Sequence, residues 1–227
     1  MKQSSDFDRL ANDYSFWEYT CSKARYKRVL DFLPDGVACA LDLGCGSGSL
    51  TIEMSMRARR VIGIDSSPQM LSMAERKRVS THKTNVQFLQ ADLQDLPFTR
   101  PSFDFIASYG VLHHVDINRA LETQRRLIRP HGRVMVFDYV TSSFQQHASP
   151  AWHIRQAIKS SPTYLSSYGF MAMWRIIRFR VSKAWLAHVC ADKLLTSEAF
   201  QNAFDRYFPN AVFRLYEGSA AAYWEAG

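Results

Sequence analysis

The 227-residue sequence contains only four cysteines, and no two of them form a CxxC pair. This spacing does not fit a disulfide-rich framework, so we expect reduced thiols in a cytoplasmic protein. No apolar run is long enough for a membrane-spanning helix, because Arg175, Arg178, Arg180 and Lys183 interrupt the best candidate. Residues 1–8 are polar and charged, so we also expect no signal peptide.

Repeats and low-complexity tracts are absent as well. The hydrophobic content of 47% and aromatic content of 13% are ample for a core, which excludes a disordered chain. The length fits one compact domain over residues 1–227. The net charge of +7 is compatible with an anionic partner: nucleic acid, an acidic membrane surface or an acidic substrate.

Short apolar runs alternate with amphipathic stretches from Ala38 to Val140. The predicted strands are 38–43, 61–65, 85–90, 103–108 and 133–140, and the predicted helices are 50–56, 68–78 and 117–128. Strand–helix alternation of this kind implies parallel strands joined by right-handed crossovers. We therefore predict a Rossmann-like, doubly wound α/β fold.

The pattern changes after Val140. Residues 141–191 contain six Lys or Arg and many aromatics but no Asp or Glu, and we predict a helical insertion over residues 141–195. A helix at 197–207 and a hairpin turning at 217–219 then close the domain. Residues 1–35 are expected to form an N-terminal helical cover.

The most specific motif is LDLGCGSG at 41–48, in which a strand leads directly into Gly44, Gly46 and Gly48 and then into a helix. Positions without side chains allow a tight turn and a close approach to a ligand. Asp65 ends the next strand, where its carboxylate can accept hydrogen bonds from two ribose hydroxyls. The motif and this acid together predict a nucleotide site.

The same segment limits which nucleotide binds. No GK[ST] follows the glycines, which excludes a phosphate-cradling P-loop, and Ser49 replaces the third glycine of a dinucleotide fingerprint. Asp42 would repel a pyrophosphate but would suit a ligand with an ammonium group. S-adenosylmethionine (SAM) carries such a group on its methionine end.

Five motifs in this order and spacing resemble those of class I SAM-dependent methyltransferases, closest to the group that includes the ubiquinone and menaquinone methyltransferases. They are LDLGCGSG, GIDSSPQML, FLQADLQDLPF, FDFIASYGVLHHV and LIRPHGRVMVFDY, and FDRLANDYSFWE resembles the group's opening segment. The resemblance implies seven strands in the order 3-2-1-4-5-7-6, with strand 7 antiparallel. It also implies SAM as the cofactor.

The resemblance further implies how the cofactor is held. Asp42 and the backbone of Gly44, Cys45 and Gly46 would hold the methionine end, and Asp65 would hold the ribose. Further implied contacts are Ser66 and Met70 beside the adenine, Asp92 and Leu93 on its polar edge, Ser108 and Tyr109 at the methionine pocket, and Tyr14 closing over the cofactor.

The acceptor should lie beyond the fourth strand, at the carboxyl edge of the sheet. His113 and His114 follow that strand, and histidine is suited to removing a proton from an acceptor at neutral pH. We predict that at least one is catalytic, with His113 as the first candidate. Asp138 ends the fifth strand, but the second acid of a catechol-type metal site is missing, so no metal is predicted.

Three functions remain open. The first is methyl transfer to a small hydrophobic, aromatic or lipid-like acceptor, at oxygen, nitrogen or carbon, with the insertion covering the acceptor pocket. The second is a SAM-binding protein without transfer activity. A nucleic-acid methyltransferase is disfavoured, because Ser108-Tyr109-Gly110-Val111 stands where base-modifying enzymes carry [DNS]-P-P-[YF]. The cations of the insertion also allow weak contact with an acidic membrane.

Overall fold

A computed structural model describes the backbone of residues 2–226 and the side chains of residues 10–22 and 26–226. The strands are β1 (Ala40–Leu43), β2 (Val61–Asp65), β3 (Val86–Gln90), β4 (Phe103–Tyr109), β5 (Ile128–Tyr139), β6 (Val212–Tyr216) and β7 (Ser219–Glu225). The helices are α1 (Lys2–Phe32), α2 (Ser49–Met54), α3 (Pro68–Ser80), α4 (Ile117–Leu127), α5 (Phe144–His147), α6 (Pro150–Lys159), α7 (Ser161–Arg180), α8 (Lys183–Ala191) and α9 (Ser197–Tyr207), with a 3₁₀ turn at Leu112–His114.

The seven strands form one sheet in the order β3-β2-β1-β4-β5-β7-β6. β1 to β5 pair in parallel, whereas β7 runs antiparallel to both β5 and β6. This topology confirms the predicted fold and strand order. It also places the carboxyl ends of β1, β2 and β4 side by side, where ligands bind in open α/β sheets.

The sheet separates two apolar layers. Leu41 and Leu43 face a cluster that includes Phe200 and Phe204 of α9. Ala40 faces the opposite cluster, which includes Val29 of α1. Because both faces are covered, the central parallel strands β1, β2 and β4 are mostly apolar and buried, as such sheets require.

Local sequence sets the start of the helices that follow the strands. The Ser67 hydroxyl accepts a hydrogen bond from the Met70 amide, and Pro68 occupies the first turn of α3. Asp116 caps α4 by accepting from the amides of Asn118 and Arg119. Side-chain caps of this kind satisfy amides that have no partner within the helix.

β5 begins five residues earlier than its predicted start at residue 133. Ile128 pairs with Phe103, and the register then shifts before Arg133 pairs with Phe105. His131 lies between these pairs with a φ of 61°. The first residue of β5 is therefore determined by its pairing with β4 and not by the local sequence pattern.

Residues 141–195 contain four helices and rejoin the core close to where they leave it, because Val140 bridges to Leu195. Arg175 of α7 pairs with Asp13 of α1 at 3.1 Å. The ring of Trp185 in α8 lies 5.4 Å, centroid to centroid, from that of Trp17 in α1. The insertion is thus packed on the N-terminal helix. No helix in residues 2–226 is long and apolar enough to cross a membrane.

Candidate functional site

The glycine turn after β1 is held by main-chain and carboxylate hydrogen bonds. The amides of Gly44 and Cys45 both donate to the Ile64 carbonyl oxygen, at 2.8 and 2.9 Å. The Asp65 carboxylate accepts from the Gly46 amide at 2.9 Å. Gly46 has a φ of 51°, and the space where a Cβ would stand is open, so its backbone is accessible to a ligand.

This turn forms one wall of a cavity of about 340 Å³. Four carboxylates line it, from Glu18, Asp42, Asp65 and Asp92, and no Lys or Arg of the described side chains does. The predicted site residues in the lining are Tyr14, Asp42, Gly44, Cys45, Gly46, Asp65, Ser66, Met70, Asp92, Leu93, Tyr109 and His114.

Two of these carboxylates are buried deeply enough to resist ionisation. Burial raises the pKa of Asp42 to about 7, although the Thr51 hydroxyl donates to it at 2.6 Å. Burial likewise raises the pKa of Glu18 to about 7, opposed by nearby Lys77 and by a 3.0 Å hydrogen bond from Ser47. A cation placed beside these groups would favour their ionised forms and so lower their pKa values again.

The sign of this charge decides which nucleotide fits. A pyrophosphate would meet carboxylates and no cation, whereas SAM brings an ammonium and a sulfonium, both positive. Asp42 and Glu18 suit the ammonium, and Asp65 at the end of β2 suits the ribose hydroxyls. Leu93 and Met70 also line the cavity and offer apolar surface for a purine. The described residues therefore fit SAM.

Three predicted residues do not line the cavity. Gly48 starts α2 with a φ of 77°, and a Cβ there would come within 2.7 Å of the Phe88 ring, so its role is close packing. Ser108 is fully buried in β4. His113 lies behind His114, with its ring directed at Asp138.

The histidine pair forms a buried network with two acids. Asp138 at the end of β5 accepts from the His113 amide at 2.9 Å, and its other oxygen lies 2.6 Å from His113 Nδ1. Asp192, just after α8, lies 3.5 Å from His114 Nδ1 and 3.9 Å from His113 Nε2. The network thus joins β4, β5 and the insertion beside the cavity.

Burial and mutual charge set the protonation of these groups. Burial opposes the charged form of His113, but Asp138 and Asp192 outweigh it and raise its pKa. Burial, with His113 and His188 adding to it, lowers the pKa of His114 to about 2. Burial raises the pKa of Asp192 to about 7. His114 is therefore neutral beside an acid that titrates near neutral pH.

The same groups are spaced closely enough to hold a metal ion. One ligand atom from each of His113, His114 and Asp192 lies within 4.8 Å of the other two. Asp192 belongs to the insertion and not to a strand end, whereas the acid considered from sequence as a metal ligand was Asp138.

The aromatic side chains of the insertion do not line the described cavity. The insertion was predicted to cover the acceptor pocket, but the described lining contains no residue between Trp152 and Trp174. Trp185 instead lies behind Tyr14, with ring centroids 5.9 Å apart. The insertion reaches the cavity region through Trp185 and Asp192, and much of its aromatic surface faces outward.

Several lining residues were missed from sequence. Glu18 lies on α1, far along the chain from the glycine motif, and only its position one helical turn after Tyr14 hints at a shared face. Asp192, which lies beside the lining residue His114 rather than in the lining itself, carries no local motif. Gln94, Gly110, Val111 and Val115 follow predicted strands, so their place at the sheet edge could have been proposed.

Comparison with known proteins agrees with this geometry. Residues 41–136 match the family model described as a methyltransferase domain. The chain is 34% identical over 140 residues to the demethylmenaquinone methyltransferase of Lactococcus lactis, covering 60% of this chain and 54% of that protein. It is also 34% identical over 157 residues to the 2-phytyl-1,4-naphtoquinone methyltransferase of Thermosynechococcus vestitus, covering 66% of this chain and 67% of that protein.

A SAM-dependent methyltransferase from Aquifex aeolicus shares the fold, with a TM-score of 0.61 and 14% identity, covering 99% of this chain and 98% of that one. The match to the Lactococcus lactis enzyme spans only about half of that enzyme's length. The Thermosynechococcus vestitus enzyme is matched over two thirds of its length at 34% identity. The match to the family model begins at residue 41 and includes the whole glycine turn. The chain therefore belongs to the SAM-dependent methyltransferase family and is related to the quinone methyltransferases.

Proposed function

We propose that this protein transfers the methyl group of SAM to a lipophilic, quinone-like aromatic acceptor in its reduced, hydroxyl-bearing form. One observation carries the proposal: four carboxylates and the His114 ring line the same cavity. The named activities of the two curated relatives support the acceptor class.

SAM, when bound, supplies a methyl group on a positively charged sulfur, which needs alignment more than activation. Asp42 and Glu18 would bind the ammonium, and Asp65 would bind the ribose hydroxyls while it holds the turn through Gly46. These contacts fix the direction in which the methyl group faces the acceptor.

The acceptor gains the methyl group and loses a proton. The neutral His114 ring, which lines the cavity, would relay this proton to Asp192. One ring nitrogen would take the proton of the acceptor hydroxyl as Nδ1 gives its own to the Asp192 carboxylate 3.5 Å away, so that the ring is not left protonated. A pKa of about 7 suits Asp192 to hold a proton in turnover near neutral pH. Asp138 orients His113 behind this pair.

The test supplies purified protein with SAM and a naphthoquinol bearing a short prenyl chain. S-adenosylhomocysteine and the methylated product are measured by mass spectrometry, which also identifies the atom methylated. The oxidised quinone is the matched control and should be unreactive, because it has no hydroxyl proton to remove. Turnover that survives EDTA supports the acid–base role of the histidine cluster over a metal role.

SAM binding by calorimetry without S-adenosylhomocysteine formation from either form of the acceptor would contradict transfer to this class. That result would favour the SAM-binding role without transfer. Binding of NADH in place of SAM would contradict the cofactor assignment itself.

A further inference from the structure

Exposed apolar side chains are concentrated in the insertion. Among the described residues, twelve large hydrophobic side chains are exposed, and seven of them lie between residues 144 and 174. They are Phe144, Ile158, Leu165, Tyr168, Phe170, Met171 and Trp174. We call this set the apolar surface. A concentration of this kind on a folded protein indicates an interaction site.

The core of the apolar surface occupies one face of α7. Phe170, Trp174 and Arg178 follow at intervals of four residues, and Met171 lies three residues before Trp174. Such spacing places side chains on the same side of a helix. Met171 is 76% exposed and Trp174 is 57% exposed, whereas Ile176 and Phe179 of the same helix are buried. The exposed face is thus opposite the face that packs on the domain.

Four exposed cations lie on the helices that carry the apolar surface or on the helix that follows, and no acid in the described part of the chain neutralises them. The exposed ones are Arg155 and Lys159 on α6, Arg178 on α7 and Lys183 on α8. Among the described side chains, none of these four takes part in an ion pair. Residues 141–191 contain no Asp or Glu at all. The charge therefore suits an anionic occupant.

We propose that the apolar surface and its four flanking cations dock on the headgroup region of an anionic lipid bilayer. Trp174, Phe170 and Met171 would enter the boundary between headgroups and acyl chains, and the cations would contact lipid phosphates. A second copy of the chain is a poorer occupant, because it would bring cations against cations. A nucleic acid would leave Ile158, Leu165 and Met171 without a partner.

This inference goes beyond the proposed function, since docking needs neither SAM nor an acceptor. It does bear on acceptor supply. α7 packs on α1 through Arg175 and Asp13, and Tyr14 on the same helix lines the cavity. A lipophilic acceptor dissolved in the bilayer would thus be held close to the protein's methyl-transfer site.

The test is flotation of the full chain with vesicles of phosphatidylcholine containing about one third phosphatidylglycerol, compared with pure phosphatidylcholine. We expect binding to the anionic vesicles at low salt and its loss as salt screens the charges. Lys159→Gln with Arg178→Gln should weaken binding roughly 30-fold, about fivefold for each charge removed. Arg59→Gln with Arg100→Gln, exposed cations outside the insertion, is the matched control and should bind like the unmodified chain.

Phe170→Ser, Met171→Ser and Trp174→Ser together should weaken vesicle binding roughly tenfold or more. Val212→Ser with Leu215→Ser, which are exposed on β6, should not weaken it. Circular dichroism confirms that each variant folds. Equal binding to both kinds of vesicle, no binding to either, or preferential binding of RNA would overturn the proposal. So would a dimer in sedimentation that the triple variant dissociates while vesicle binding is unchanged.

Discussion

Asp42→Asn is expected to stabilise the ligand-free protein while it removes affinity for SAM. The Asp42 carboxyl is 1% exposed at the end of β1, and its pKa is raised from 3.8 to about 7. The folded state therefore keeps a proton on Asp42 between these pH values, whereas the unfolded chain has lost it. The destabilising contribution of Asp42 is therefore absent below about pH 4, grows as the pH rises, and is complete above about pH 7.

The magnitude follows from the size of the shift. A difference of about three pKa units corresponds to about 4 kcal/mol, at 1.36 kcal/mol per unit. Asparagine has nearly the same shape, bears no charge, and keeps a carbonyl oxygen to accept the Thr51 hydroxyl. At pH 8 the variant should gain about 4 kcal/mol, a rise of roughly 8 to 16 °C in Tm. At pH 5 the gain should be less than half of that.

The assay is thermal unfolding at pH 5 and pH 8, with and without SAM. Asp205→Asn, an exposed carboxylate on α9, is the control and should leave both values unchanged. SAM should stabilise the unmodified protein more at pH 8 than at pH 6, because its ammonium requires ionised Asp42, and it should not stabilise Asp42→Asn. A gain that is equal at both pH values, or a loss at pH 8, would refute the reasoning from burial.

Four further results are expected. Asp65→Asn should weaken SAM binding by about 10- to 150-fold in calorimetry, because one lost hydrogen bond to a charged group is worth about 1.5–3 kcal/mol; unchanged affinity would remove Asp65 from the ribose site. His114→Ala should lower turnover by about 10²–10⁴-fold with SAM affinity unchanged. His113→Ala should also lower turnover by about 10²–10⁴-fold if His113 acts in proton transfer. Lower thermal stability with normal specific activity of the folded fraction would instead show that His113 serves only in packing. Gly48→Ala should reduce the free energy of unfolding by about 1–3 kcal/mol, measured in urea, because its φ is positive and Phe88 blocks the new Cβ; SAM affinity of the folded protein should not change.

Sequence reasoning was most accurate where local chemistry sets an element's ends. The bounds of β2 and α9 match the prediction. Asp65 ends β2, Pro68 marks the start of α3 soon after it, and the side chain of Thr196 caps the start of α9. β5 was predicted too short, since its first residue joins the sheet only through non-local pairing with Phe103.

The residues of the candidate site likewise fall into two groups, those that local sequence predicts and those that only tertiary packing brings to the site. The glycine turn and Asp65 could be predicted because they lie at consecutive strand ends, which a parallel sheet brings together. Glu18 and Asp192 could not, because each reaches the site only through the packing of a helix, α1 for Glu18 and α8 for Asp192, and the motifs assign neither a role. Periodicity indicates that α1 and α8 are helices, but not which of their side chains will face the cavity.

The bridge between Val140 and Leu195 has a consequence for how this protein could change over evolution. The insertion leaves and re-enters the core at neighbouring points, so its length and sequence are independent of the register of the sheet. Closing a longer or shorter segment between the same two points changes the entropy of folding only slightly. The whole insertion could therefore be exchanged as a unit. A descendant could then accept different molecules or dock on a different membrane, while the strands and turns that bind the cofactor stayed unchanged.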